Sequence, residues 1–165
     1  MDSHALLAEI PRLRRYARAL LGERAAADDL VQDTLERAWS RLHQWKTGSD
    51  LRAWLFGIMH NLRVDLLRRS IPLTRSIDEG DDDLPTRATQ TDTLEVQDLE
   101  SALAQLPDEQ REIVLLVAVE ELSYADIAEV LGLPIGTVMS RLSRGRERLR
   151  QILAGEPATR LRVVR

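Results

Sequence analysis

Near the C-terminal end of the chain, small, polar and basic residues recur at a spacing suited to reading nucleic acid. Wound at about 100° per residue, Gly136, Ser140, Ser143 and Glu147 fall on one side of a helix, flanked by Met139 and Arg144. Val138, Leu142, Gly145 and Leu149 fall on the opposite side. Small side chains let a helix approach base edges in a major groove, and Arg141, Arg144, Arg146 and Arg148 reach phosphates or guanine. The plainer alternative is an amphipathic helix whose basic end complements its own macrodipole. A second cluster, Asp29, Gln32, Asp33, Glu36 and Ser40, shares one face of an upstream helix. On its own that acidic face reads as an ordinary solvated surface. A third, Arg63, Arg68 and Arg69, makes the end of a middle helix basic. Trp39, Trp45 and Trp54 read as core or lid residues rather than as base-stacking platforms.

Other chemistry finds little support. The chain has no cysteine, so disulfides and thiolate metal sites are excluded, and His4, His43 and His60 stand too far apart to form a local ligand set. Phosphate-cradling Gly-rich loops, the HExxH zinc motif and the GxSxG nucleophile elbow are absent from the sequence. The expectation is therefore no catalytic residue, no metal and no cofactor. No apolar run approaches about 18 residues and the N-terminus lacks the order of a signal peptide, so a cytoplasmic chain without membrane insertion is expected. The net charge of −4 looks wrong for a nucleic-acid binder, but its distribution matters more. Residues 1–75 carry 13 basic and 9 acidic side chains, residues 76–130 carry 2 and 16, and residues 131–165 carry 8 and 2. Two basic ends flank an acidic middle, which allows two separate DNA-binding surfaces.

The elements that must position these residues are helices. A first helix spans about 4–21, with Pro11 disturbing it or marking its true start, and Leu13, Tyr16, Ala17, Leu20 and Leu21 form its buried stripe. Gly22 ends it. The next, about 25–41, buries Ala27, Val31, Leu35 and Ala38, with Leu42 on the same side just beyond it. A helix over 51–69 is apolar on more than one side, through Leu51, Trp54, Leu55, Ile58, Leu62 and Leu66 and also Phe56, Val64 and Leu67, and so should be central. From about 70 to 90 the pattern dissolves into an acidic stretch with Pro72, Gly80 and Pro85, a flexible linker. A second unit starts near Asp92, where Asp92-x-x-Glu95 offers a cap, and buries Leu94, Leu99, Ala102, Leu103 and Leu106 in some combination. Pro107 opens a helix running to Glu121. Ser123 caps a short helix whose inner face is Tyr124, Ile127, Ala128 and Leu131, and Gly132, Leu133 and Pro134 redirect the chain into the basic helix described first. The fold class is thus all-α, two small helical domains joined by an acidic linker, with a helix-turn-helix in the second.

With DDLVQDTLERAW (28–39), LRAWLFGIMHNLRVDLLRR (51–69), LPDEQREIVLL (106–116) and LSYADIAEVLGLPIGTVMSRLSRGRERL (122–149) in view, the chain resembles a bacterial RNA polymerase sigma factor of the extracytoplasmic-function (ECF) group in the sigma-70 family. The resemblance implies region two over 1–70, a linker over 71–91, region four over 92–153 and a basic tail over 154–165. It implies core RNA polymerase as partner, through the β′ clamp helices and the β subunit, with Asp29, Gln32, Asp33 and Glu36 as contacts. It implies promoter DNA, double-stranded and melted: Asn61 at a pocket for a flipped base of the minus-ten element, with Arg63, Arg68 and Arg69 on phosphates. For the minus-thirty-five element it implies Thr137, Met139, Ser140, Arg141, Ser143, Arg144, Arg146 and Arg148. Met139 departs from the Lys or Arg frequent in the family, which makes Arg144 the best base contact. An anti-sigma factor is a further implied partner. The competing reading is a dimeric helix-turn-helix regulator that binds a palindromic operator without replacing a sigma factor.

Overall fold

The computed structural model describes residues 3–70 and 94–155, and every regular element among them is helical. The order is α1 (Ser3–Ala8), α2 (Ile10–Leu21), α3 (Arg24–Ser40), a 3-10 turn (Leu42–Gln44), α4 (Leu51–Ser70), α5 (Leu94–Ala104), α6 (Asp108–Ala118), α7 (Tyr124–Leu131) and α8 (Ile135–Leu153). The expected linker over 71–91, the Asp92 cap and the tail beyond Gly155 lie outside the described residues.

In the N-terminal unit α2 packs on α3 and α3 on α4. The expected first helix is two, broken at Glu9, with Pro11 in the first turn of α2, where its missing N–H costs nothing. Leu13, Tyr16, Ala17 and Leu20 make the inner stripe, and Gly22 closes α2 in the left-handed region at φ 73°. Tyr16 meets Phe56 of α4 edge to face, with centroids 4.8 Å apart. Burial pushes the Tyr16 phenol well above its usual range, with the Glu112 carboxylate adding to the shift. In α3, Leu30 and Thr34 join the core beside Ala27, Val31 and Ala38, while Leu35 is only partly covered. Thr34 is tolerated there because its hydroxyl donates to the Leu30 carbonyl, at 2.7 Å. As expected, α4 is central: Leu55, Phe56, Ile58, Met59 and Leu62 are buried.

The C-terminal unit packs α6 and α7 on α8, with α5 alongside α8. Asp108 and Glu109 sit in the first turn of α6, as expected, but the helix ends at Ala118, short of Glu121. Glu121 then takes a positive φ of 53°, turning the chain toward α7. The Ser123 hydroxyl accepts the Asp126 N–H at 3.1 Å, and Gly132 ends α7 in the left-handed region. Gly145 brings α8 against α6: a Cβ there would stand 2.9 Å from Val114 Cγ2. Arg111 binds the turn between α5 and α6 together, donating to the carbonyls of Leu103, Ala104 and Leu106 and to Asp108.

The two units lie against each other, α4 on α7 and α2 on α6, and their apolar residues form one continuous cluster. Arg111 also donates across the boundary to the Leu20 carbonyl at the end of α2, at 2.9 Å. Several expected core residues stand outside it. Leu66, Leu67 and Leu99 are exposed, and Trp39 is 57% exposed rather than a core or lid residue.

Candidate nucleic-acid interface

Helix α8 is built as its pattern requires. Val138, Leu142 and Gly145 of α8 are buried, so Gly136, Met139, Ser140, Ser143, Arg144, Arg146 and Arg148 face outward, with Thr137 partly covered. Arg144 makes only a long bond, 3.4 Å, to the Ser140 carbonyl of its own helix and is otherwise directed to solvent. Arg141 is half-buried and lies 3.7 Å from Glu109 of α6, which ties it to the fold more closely than its neighbours. Met139, Ser143 and Arg146 border a groove that Tyr124 of α7 closes on the other side. Farther along, Glu147 holds Arg150 at 2.7 Å, and that hydrogen bond keeps the Glu147 carboxyl below its usual range. Ile135, absent from the sequence-based set, is also exposed on the first turn.

On α3, Asp29, Gln32, Asp33 and Glu36 are all exposed, with Gln32 and Glu36 3.5 Å apart. The face is therefore free to meet a partner. Asp33 and Glu36 also border an open groove toward α4, whose opposite wall includes Leu62, Asp65 and Arg69.

On α4 the expected minus-ten set divides. Asn61, Arg68 and Arg69 are exposed. Arg63 is not on that surface: it is 5% exposed, and its guanidinium lies 3.2 Å from Asp108 and 3.6 Å from Glu112, both on α6. One turn earlier, His60 Nδ1 lies 2.6 Å from the other oxygen of Glu112. With its guanidinium held by α6, Arg63 does not stand on the outer surface with Asn61, Arg68 and Arg69. Sequence reasoning missed Asp108 and Glu112 because nothing local ties them to α4; only the packing of the units brings them there.

A second charge crosses the boundary in the opposite sense. Glu120, at the turn after α6, is buried beneath α2, with Arg12 Nε 3.6 Å away and neither carboxylate oxygen hydrogen-bonded. Burial raises its pKa, and the positive charges of Arg12, Arg15 and Arg52 only partly oppose this. Among the described residues no cluster of His, Asp and Glu is arranged to hold a metal ion, and no helix is long and apolar enough to cross a membrane.

Residues 6–60 match the family model described as the Sigma2 domain of PhyR, and residues 97–149 match Sigma-70, region 4. The ECF RNA polymerase sigma factor EcfG of Rhodopseudomonas palustris is 39% identical over 153 residues, which cover 90% of this chain and 82% of that protein. The sigma factor RpoE, solved in complex with the anti-sigma factor NepR from Bartonella quintana, superposes with a TM-score of 0.77 at 34% identity, covering 93% of this chain and 97% of that one. CnrH, solved in complex with the cytosolic domain of CnrY, superposes with a TM-score of 0.67 at 29% identity, covering 94% of this chain and 92% of that one.

Proposed function

This chain belongs to the ECF RNA polymerase sigma factors, and on that premise we propose that it binds core RNA polymerase and directs initiation at promoters bearing a minus-ten and a minus-thirty-five element. The observation that carries the reading is the order of the two family matches, the first over residues 6–60, from α1 into α4, and the second over residues 97–149, from α5 into α8, on a chain whose α8 turns its small and basic residues outward. Residues 1–70 serve as region two, 71–91 as the linker, 92–153 as region four and 154–165 as a basic tail.

The mechanism is noncatalytic. Asp29, Gln32, Asp33 and Glu36 dock on the β′ clamp helices, and further contacts reach the β subunit. Asn61 meets a base flipped from the non-template strand while Arg68 and Arg69 hold its phosphates; the captured base offsets part of an unstacking cost of a few kcal/mol. Arg63 joins them once Glu112 and Asp108 have let it go. Thr137, Met139, Ser140, Arg141, Ser143, Arg144, Arg146 and Arg148 engage the minus-thirty-five duplex, with Arg144 reading a base and the other arginines mainly on phosphates. Polymerisation is the work of the core enzyme, in the cytoplasm. The similar sigma factor RpoE is in complex with the anti-sigma factor NepR, and CnrH is likewise in complex with a second protein, CnrY, which supports an anti-sigma factor as a partner of this chain too.

Adding the purified chain to sigma-free core polymerase tests the reading: promoter-specific initiation is expected, with weak DNA binding by the chain alone. Tight binding of the isolated protein to a palindromic operator, without stimulation of the core enzyme, would instead identify a dimeric helix-turn-helix regulator.

A further inference from the structure

We propose that Ile135 and Met139 are specificity residues that read the C5-methyl groups of thymines in the minus-thirty-five element. The inference rests on α8 being the reading helix and goes beyond it by naming the base feature that is read.

Both side chains are 48% exposed, although the inner face of α8 is already complete with Val138, Leu142 and Gly145. A single exposed apolar residue on a surface needs no explanation. Here there are two, four residues apart, on the first turns of the helix that enters the groove, beside positions occupied by Gly136, Ser140 and Ser143. At about 100° per residue they stand about 40° apart on one flank of α8. That flank faces α7, since Met139 borders the groove closed by Tyr124 and shared with Arg146. Arg144 and Arg148 lie on the other flank. Cations thus stand on both sides of the outward face, Arg146 on the same flank as the apolar pair and Arg144 and Arg148 across from it, a charge arrangement that a duplex with its two phosphate strands complements.

In the major groove the thymine C5-methyl is the apolar feature that marks a base pair, and apolar side chains recognise it by contact. Ile135 and Met139 carry no donor for the guanine O6 and N7, and neither pairs with the adenine edge. Their separation along the helix axis, about 6 Å at 1.5 Å per residue, spans one to two base-pair steps. Gly136 and Ser140 leave room for the helix to come close enough for methyl contact. Met139, with its flexible thioether, adapts to the exact position of its methyl, whereas Ile135 is stiff and more demanding.

The experiment uses the full chain bound to core polymerase and a promoter library randomised at the minus-thirty-five element. Thymine should be selected at one or two positions. Replacing each with deoxyuridine removes the methyl and leaves O4 and the pairing unchanged, so promoter-complex formation should fall about fourfold per methyl, as for one buried carbon. Met139→Ala and Ile135→Ala should each abolish the deoxyuridine effect at one position and leave the other intact, with helicity and Tm as checks on folding. Wild-type holoenzyme that tolerates every deoxyuridine substitution while still selecting an element overturns the proposal and leaves the sigma reading standing. Alanine variants with undiminished sensitivity also overturn it. If no minus-thirty-five sequence is selected at all, the assignment of α8 as the reading helix fails as well.

Discussion

His60 of α4 and Glu112 of α6 meet 2.6 Å apart across the boundary between the two helical units, and the second oxygen of Glu112 faces Arg63 on the same helix at 3.6 Å. One carboxylate thus holds two side chains spaced a single turn apart, on the helix expected to meet melted promoter. Asp108 adds a more exposed contact to Arg63 at 3.2 Å.

Removing Arg63 leaves Glu112 buried with only His60 beside it. Arg63→Ala should therefore destabilise the folded arrangement by about 3 kcal/mol, the low end of the cost of breaking a buried pair. The double substitution Arg63→Met with Glu112→Leu should lose less than the sum of the two single changes. Urea denaturation of the wild type, Arg63→Ala, Arg63→Met, Glu112→Leu and the double variant measures both, and strict additivity of the last two single changes would show that the two residues do not interact.

Glu120 gives a pH dependence of definite sign. Its carboxyl is raised in the folded protein by burial, so the folded state holds this proton more tightly than the unfolded chain. The stabilisation is complete below the ordinary carboxylate range and is lost as pH rises through the raised value. Glu120→Gln should accordingly raise Tm at pH 8 relative to wild type, with the difference closing toward pH 4. A difference that stays constant over this range would locate the effect elsewhere.

Gly145→Ala tests the approach of α8 to α6. The new methyl meets Val114 Cγ2 at 2.9 Å and Gln110 Cβ at 3.3 Å, and valine is stiff at χ1. Overpacking of about 1–3 kcal/mol outweighs the gain of about 1 kcal/mol from replacing glycine within a helix. A net loss of about 1 kcal/mol is expected in chemical denaturation, and an unchanged midpoint would mean that the helices separate freely.

Asp29→Ala combined with Gln32→Ala should weaken binding to core polymerase by more than about 1 kcal/mol while leaving Tm unchanged, because both side chains are exposed and outside the core. Competition with a labelled sigma factor for the core enzyme reads the first quantity and calorimetry the second.

Arg144→Ala should lose about 1–3 kcal/mol at one base pair of the minus-thirty-five element. Binding measured across single-base variants of that element distinguishes this from a phosphate contact, for which the loss would be uniform and the salt dependence shallower.

Where residues satisfy themselves within one turn of helix, the sequence was enough. The Leu13, Tyr16, Ala17 and Leu20 stripe, the Ser123 cap, the Gly132 turn and the inner arc of α8 all depend on neighbours three to four positions away, and the structure has each of them. What escaped depends on distant partners. Arg63 sits between Leu62 and Val64 and reads as part of a basic helix end until Glu112 and Asp108 are brought to it. Thr34 hides in the core because its hydroxyl is bonded within its own helix, a polar residue where periodicity calls for an apolar one. Leu66 and Leu99 have the right period for burial and still face outward, since a pattern records which side of a helix is apolar but not whether another element covers it.

The burial of Arg63 has a thermodynamic corollary. Whatever anion recruits this guanidinium competes with Glu112 for it, and linkage makes the competition reciprocal. If the contact with Glu112 weakens the hold of Arg63 on a nucleic-acid phosphate by some factor, that phosphate loosens the union of the two helical units by the same factor. Opening of the molecule and capture of the strand are then two readings of a single coupling free energy.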